Sequence, residues 1–385
     1  MTNDAFTRGI DVPPFYAGQI ARDAARLARA GREIIPMHFG QPTLGPPPAV
    51  LEAAQRALSA PALGYWESDD LRERIARHYQ DTYGVQVFPE QVLLTSGASA
   101  GLIGIFTSIF RSGDKIAMAR PGYPAYRNSL NALQRAVVEI ECGPESGFQL
   151  TAKHIESLPD APHGLIVASP SNPTGAVISP AELRAIVEVC RDRNIRLISD
   201  EIYHGITYGA QIQTALAFDP EVLIVNSFSK LYRMPGWRLG WIVVPPNHVR
   251  RVQSHLTNLF LTPPALSQQA ALAAFDSPDD LHRPVSTYAR NREILLDALP
   301  RANFPRITTP EGAFYIYADV SHVTNDSLAY CKHLLNVGVS MAPGIDFDLV
   351  NGNRFVRMSF AGATVQIERA VELLAGQAAG GGSRK

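Results

Sequence analysis

The chain has 385 residues, 35 Lys and Arg against 36 Asp and Glu for a formal charge of −1, and 46% hydrophobic residues. That is the balance of an ordinary globular chain, without the basic footprint of a nucleic-acid binder or a polybasic membrane-surface protein. The length exceeds what one core usually holds, so two domains are expected.

Residues 1–12 read as a loose end, and MTNDAFTRGIDVPP has neither the basic opening nor the apolar run of a secretory signal. The segment LRERIARHY (71–79) stacks Leu71, Ile75 and Tyr79 at helical spacing, and QVLLT (91–95) runs through TSGASAGL (95–102) into a further helix. AGLIGIFTSIF (100–110) is the most apolar stretch and is too short to span a bilayer. KIAMA (115–119), GLIVAS (164–169), IRLIS (195–199) and VLIVN (222–226) have the length and content of buried parallel strands. Between the second and third, Ser179 and Glu182 predict a capping box with Pro180 at the first helical position. Leu183, Ile186, Val187 and Cys190 then share one apolar face. Strands alternating with amphipathic helices mean an α/β chain built on a mainly parallel sheet covered by helices.

From about residue 286 the pattern changes to a helix, FYIYADV (314–320), a second helix and RFVRMSF (354–360). The expected division is a large domain over 46–285 and a smaller α+β domain formed by both chain ends, 1–45 and 286–385. The glycine-rich tail 374–385 reads as a second loose end. Cys142, Cys190 and Cys331 are too few and too scattered for a disulfide framework or a zinc site, and read as reduced thiols of a cytoplasmic protein. No metal is expected.

RPGYP follows KIAMA, SPSNPTG follows GLIVAS, DEIYHG follows IRLIS and SFSK follows VLIVN. Each polar cluster lies at the carboxyl end of a strand, where open α/β sheets place ligands. Asn172, Asp200 and Lys230 are one strand–helix–strand unit apart, so neighbouring strands project an amide, a carboxylate and an amine into one crevice. A lysine amine forms Schiff bases with carbonyls. Pyridoxal 5'-phosphate held that way withdraws electrons from a substrate Cα, and does so best when a buried carboxylate keeps its ring nitrogen protonated. Asn172 and Tyr203 are suitable donors to the ring's phenolate oxygen, and Tyr123 offers a flat face for stacking. The helix start at Gly97, Ala98 and Ser99 supplies backbone N–H groups for the phosphate; Ser227, Ser229 and Arg238 supply hydroxyls and a guanidinium.

SNPTG, SDEIY, SFSK followed by PGWRLGW, and RFVRMSF, in this order and spacing, resemble the class I/II aminotransferases of the fold-type-I pyridoxal-phosphate enzymes, over about residues 30–370. The resemblance implies a homodimer with the site at the subunit boundary. It implies that Lys230 carries the cofactor as a Schiff base and later moves the Cα proton, with Asp200 pairing the pyridinium. Arg357 would grip the substrate α-carboxylate, Gly40 of HFGQP would approach it through its backbone, with Asn172 beside it, and Tyr65 would reach the neighbouring subunit's phosphate. Amino acid and 2-oxo acid would alternate by a ping-pong mechanism. Two places depart from the family pattern: the stretch from Tyr65 to Leu71 is short, and Pro235 stands where a small polar residue is common.

Competing readings follow from the same residues. Lyase (β-elimination), racemase and decarboxylase chemistry use the same constellation, since the cofactor supplies the electronics and the surroundings choose the bond. Gly97-Ala98-Ser99-Ala100-Gly101 matches the G-x-S-x-G elbow of serine hydrolases, but no HGGG-type segment precedes it and the other motifs are left unexplained. A ligand-sensing half of a transcription regulator would need a DNA-binding domain, for which there is no room before residue 30 or after 370. Arg354 rivals Arg357 for the carboxylate, His204 reads as packed rather than as an acid–base group, and Phe15, Tyr16 and Phe39 are candidates for the substrate side or for packing.

Overall fold

The computed structural model describes residues 9–59 and 63–381; the parts of the two expected loose ends at 1–8 and 382–385 lie outside them. Seven strands form one sheet: β1 (Val92–Thr95), β2 (Lys115–Arg120), β3 (Ala136–Glu141), β4 (Gly164–Ala168), β5 (Arg196–Asp200), β6 (Leu223–Ser227) and β7 (Gly240–Val243). Their order is β1-β7-β6-β5-β4-β2-β3, and only β7 runs antiparallel to its neighbours. The expected α/β architecture is present: a mainly parallel sheet whose strands alternate with helices.

Period-2 alternation divides the strand residues between two cores. Leu165, Val167, Leu197 and Ile224 join the core on one face. Ile166, Ile198, Leu223 and Val225 join the core on the other, with the helix Ala98–Ile109. Both faces are covered, which is why these strands read as continuous apolar runs rather than as alternating ones. On the first face Leu71, Ile75 and Tyr79 of the helix Asp69–Tyr83 are fully buried, and Tyr79 accepts a hydrogen bond from the Trp241 indole at 3.1 Å.

A second, antiparallel sheet has four strands, β8 (Arg306–Ile307), β9 (Tyr315–Asp319), β10 (Ala342–Pro343) and β11 (Phe355–Ser359), in the order β10-β11-β9-β8. Its core takes in Ile20 and Met37 from the start of the chain together with Phe314, Ile316, Val356, Met358 and Leu374. Ile35–Pro36 pairs in parallel with Val339–Ser340, which ties the two ends directly. The helix Pro278–Ala298 runs between the two cores: Leu281 packs in one, Tyr288 and Leu295 in the other.

Two expectations need correcting. The tail is helical through Gly381, because Ile367, Ala370 and Leu374 seat the helix Thr364–Gly381 in the second core before its glycines begin. The capping box at Ser179 is half formed. Ser179 accepts from the Glu182 N–H at 3.2 Å, but the Glu182 carboxylate turns away to accept the Ala152 N–H at 2.6 Å. A second helix start thirty residues away competes for the same oxygen and wins it.

Candidate active site

Because β6, β5 and β4 are adjacent, their carboxyl ends bring Lys230, Asp200 and Asn172 to one place. They share a cavity of about 320 Å³ with Tyr123, Tyr203, Ser227, Ser229, Arg238, Arg357, Ala98, Ser99 and Gly40. Gly97 stands at its edge as the residue preceding the helix Ala98–Ile109, with φ 83°; a Cβ there would overlap the Arg238 guanidinium. Of the expected site residues, Gly97 and Tyr65 are outside the cavity lining, Gly97 as the neighbour of Ala98 and Tyr65 as an 84% exposed side chain.

Asp200 ends β5 and is buried. Its Oδ2 accepts the Tyr126 hydroxyl at 2.5 Å and its Oδ1 accepts the Ile202 N–H at 3.1 Å. Burial raises its pKa above the ordinary carboxylate value, against the pull of those two hydrogen bonds and of Lys230. The Lys230 Nζ donates to the Gly40 carbonyl at 2.7 Å and lies 5.7 Å from the centre of the Tyr203 ring. Burial, and then the Arg357 and Arg238 charges, push the amine down to about 8 against the opposing charge of Asp200. A neutral lysine nucleophile is therefore accessible near physiological pH. A Cβ at position 40 would overlap the Tyr315 hydroxyl, so only glycine brings this carbonyl to the amine.

Arg357 lies on β11 and is 2% exposed. Its Nη1 donates to Asn172 Oδ1 at 3.0 Å and its Nη2 to the His38 carbonyl at 2.5 Å, while Nε has no partner among the described residues. The guanidinium lies 4.6 Å from the Tyr315 ring and 4.8 Å from the Phe347 ring, close enough for both ring faces to attract it. Its rival Arg354 faces outward and donates to Asn351 Oδ1 at 2.8 Å. Tyr203 and Tyr315 share a hydroxyl–hydroxyl bond of 2.6 Å.

The opposite end of the cavity is rich in donors. Arg238 adopts left-handed φ 53°, costly for a side-chain-bearing residue, with Nη1 on the Pro235 carbonyl at 2.9 Å and Nη2 on the Ser96 carbonyl at 3.3 Å. Pro235 opens the short turn Pro235–Trp237 that sets this conformation. Ser227 and Ser229 bond through their hydroxyls at 2.9 Å, and the helix Ala98–Ile109 begins without a side-chain cap. Free N–H groups, two hydroxyls and a guanidinium make an anion cradle.

His204 stands apart from the cavity: its Nδ1 bonds the Tyr83 hydroxyl at 2.8 Å, and burial lowers the imidazole to about 3. No histidine lines the cavity beside Ser99 among the described residues, so the hydrolase elbow lacks its base. No cluster of metal-ligating side chains occurs among them, and no helix is long and apolar enough to cross a membrane. Phe15 and Phe39 line the cavity; Tyr16 instead uses its backbone N–H on Asp346. Tyr126, Tyr315 and Gln41 are cavity residues that sequence reasoning missed. For Tyr126 a signal existed, since it falls in the first turn of a helix that begins at Pro124, directly after the polar cluster.

The sequence profile of the family described as aminotransferase class I and II matches residues 32–374. The valine–pyruvate aminotransferase of Mycobacterium tuberculosis is 46% identical over 94% of this chain and 95% of its own. The crystal structure of an aminotransferase from Mycobacterium tuberculosis superposes with a TM-score of 0.93 at 45% identity, covering 95% of this chain and 97% of that one. Aspartate aminotransferase from Thermus thermophilus with maleate gives a TM-score of 0.88 at 28% identity, over 96% and 99% of the two chains.

Proposed function

The chain belongs to the class I and II aminotransferases, enzymes that move an amino group between an amino acid and a 2-oxo acid, and from that premise we propose how its own residues do so. The cofactor in this reading is pyridoxal 5'-phosphate, bound through Lys230. The observation that carries it is the convergence of Lys230, Asp200 and Asn172 from three adjacent strands on one cavity that also holds the buried Arg357.

The residues fit the cofactor. The cavity has the size of a small-ligand site. It offers one carboxylate at its floor, one depressed amine and a cradle for a dianion, which are the complements of a pyridinium, an aldehyde and a phosphate. When bound, the cofactor supplies the electron sink that lets a Cα–H bond break. Asp200, oriented by Tyr126, holds the proton on the ring nitrogen. Asn172 and Tyr203 donate to the phenolate oxygen, and Tyr123 covers the ring face. Gly97, Ala98 and Ser99 with Ser227, Ser229 and Arg238 bind the phosphate. Arg357 binds the α-carboxylate of the amino acid, with Gly40 and Asn172 beside it. Lys230, which would hold the cofactor's aldehyde, would also be the base that takes the proton from the substrate Cα. The two substrates then alternate on one site, which predicts ping-pong kinetics.

The donor in this reading has an apolar side chain. Lys230, Arg238 and Arg357 are all committed, and no further cation lines the cavity among the described residues. Its apolar lining includes the partly exposed Phe15 and Phe39 and the buried Leu102. The name of the Mycobacterium tuberculosis relative supports the same choice. The working form is a homodimer; the support is the exposed apolar set Leu58, Leu63, Tyr65, Leu259 and Leu261. The place is the cytoplasm, consistent with three buried free thiols. Borohydride reduction of the loaded protein followed by peptide mass mapping tests the cofactor linkage: the added mass belongs on Lys230, and an unmodified peptide refutes it. A kcat/KM for valine above that for aspartate tests the donor class.

A further inference from the structure

The first helix of the described chain, Tyr16–Arg29, starts without help from its own sequence. Phe15 precedes it and has no side chain able to cap. The cap comes from far along the chain: the Tyr16 N–H donates to Asp346 Oδ1 and the Ala17 N–H to Asp346 Oδ2, both at 2.8 Å. One carboxylate thus satisfies two of the orphan donors of the first turn and places negative charge at the positive helix end.

Asp346 is itself firmly placed. It is 3% exposed and ends the short turn Gly344–Asp346. Its backbone carbonyl accepts Arg127 Nη2 at 3.1 Å, and the next residue's carbonyl accepts the Gly122 N–H at 3.0 Å. Two residues further, Asp348 Oδ1 accepts Arg120 Nη1 at 3.1 Å. The turn is therefore strapped to residues 120–127, the segment that carries Tyr123 and Tyr126. On the other side of the clamp, Phe15 lines the cavity mouth while 38% exposed. Apart from Asp346, the described arm before the helix has one weak polar tether, Asn128 Nδ2 on the Pro13 carbonyl at 3.4 Å.

We propose that Asp346 is a positioning residue for substrate binding: by gripping the Tyr16 and Ala17 amides it holds Phe15 across the cavity mouth, where the ring packs on the side chain of the amino acid. Asp346 does not line the cavity and acts through Phe15; its charge also reaches Arg357, a route that would shift valine and alanine alike. The inference rests on the apolar-donor reading above, and the valine-to-aspartate preference of the unaltered enzyme, read in the same assay, tests that reading separately.

The test is steady-state kinetics of the cofactor-loaded Asp346→Asn, Phe15→Ala and double variants with valine and with alanine as donors. Asn presents one acceptor where two N–H groups point, so half the clamp is lost. Asp346→Asn should raise KM for valine about tenfold while kcat stays within about twofold, with a smaller rise for alanine, whose methyl group offers Phe15 less surface. Phe15→Ala should raise the valine KM similarly, and the double variant should be no worse than either single one, because both changes remove the same contact. A folded Asp346→Asn enzyme with unchanged valine KM overturns the proposal. So do single effects that multiply in the double variant, or an equal KM rise for both donors. Should Asp346→Asn fail to fold, Asn128→Ala loosens the same arm from its other tether: a valine-selective KM rise supports the proposal, and none refutes it.

Discussion

The floor of the cavity and its rim are built on different principles. The floor groups Asn172, Asp200 and Lys230 stand at or just beyond the ends of β4, β5 and β6, strands held by continuous parallel ladders with both faces packed. The rim groups Phe15, Gly40 and Arg357 come from the two chain ends, and although β11 carries Arg357, its guanidinium and the Phe15 arm are placed by a few side-chain contacts between distant parts of the sequence, Arg357 to Asn172 and the His38 carbonyl, and Tyr16 and Ala17 to Asp346. Ladders give rigidity at the bond that changes; isolated side-chain contacts give a mouth that can be retuned. Losses at the floor should therefore appear in kcat, and losses at the rim in KM.

The sharpest way to break that distinction is Lys230→Ala. It removes the group that moves the proton, and kcat should fall by about 10³-fold or more while the protein still binds the cofactor noncovalently through the Arg238 cradle and Asp200. Stopped-flow turnover and equilibrium dialysis measure the two. Near-normal kcat would remove Lys230 from the chemistry altogether. At the rim, Arg357→Ala should cost about 10²-fold in kcat/KM, because it leaves a substrate carboxylate without its charge-assisted partner in a desolvated seat. Amino acid titration of the loaded enzyme measures it, and a primary amine without a carboxylate should show little change between the two enzymes.

The same distinction explains what was legible in the sequence. The floor could be read because each residue follows a short apolar run, and adjacent strands set the spacing of Asn172, Asp200 and Lys230. Arg357 was separable from Arg354 only by the family pattern; the structure adds that Arg354 bonds its own loop while Arg357 is buried. The Asp346 clamp left no trace, because it joins residues 329 and 330 positions apart and an Asp in a turn has many ordinary uses. Glu182 failed as a capping-box partner for a related reason: a local rule predicts the oxygen's reach, not the competing donor at Ala152. The tail misled because composition near Gly376 and Gly380 outweighed one apolar residue, Leu374, that finds the core.

Tyr126 lets the comparison be sharpened at intermediate size. Its hydroxyl is the only side-chain donor to Asp200 among the described residues, at 2.5 Å. Tyr126→Phe leaves Asp200 with one backbone partner and free to rotate from the ring nitrogen. A hydrogen bond to a charged group contributes about 1.5–3 kcal/mol, so kcat should fall roughly tenfold or more with KM little altered. The visible spectrum of the bound cofactor should titrate at a shifted pH, which a purely packing role for the ring would not produce. An unshifted titration with normal kcat would place Tyr126 outside the working floor.

Glu201 provides the smallest effect and a control, because it follows Asp200 on the opposite parity and points away from the cavity. Its Oε1 accepts from Ser199, Thr214 and the Ala215 N–H at 3.0–3.1 Å, and its Oε2 lies 3.6 Å from His204 Nδ1 without a hydrogen-bond partner. Burial pushes its carboxyl up to about 8, the hydrogen bonds opposing. A carboxyl whose folded value lies above its unfolded one favours folding fully only below the unfolded value, and that contribution is lost as pH rises through about 8. Glutamine keeps the accepting oxygen and cannot ionise. Glu201→Gln should therefore gain on the unaltered protein as pH rises from about 6 to about 9, by roughly 1–3 °C in Tm, with kcat unchanged. Scanning calorimetry across that range checks the sign. A Tm difference independent of pH would mean that Glu201 is already ionised at neutral pH. A fall in kcat would mean that the two parities of this strand end are coupled, and that the floor extends further from the cavity than its lining residues.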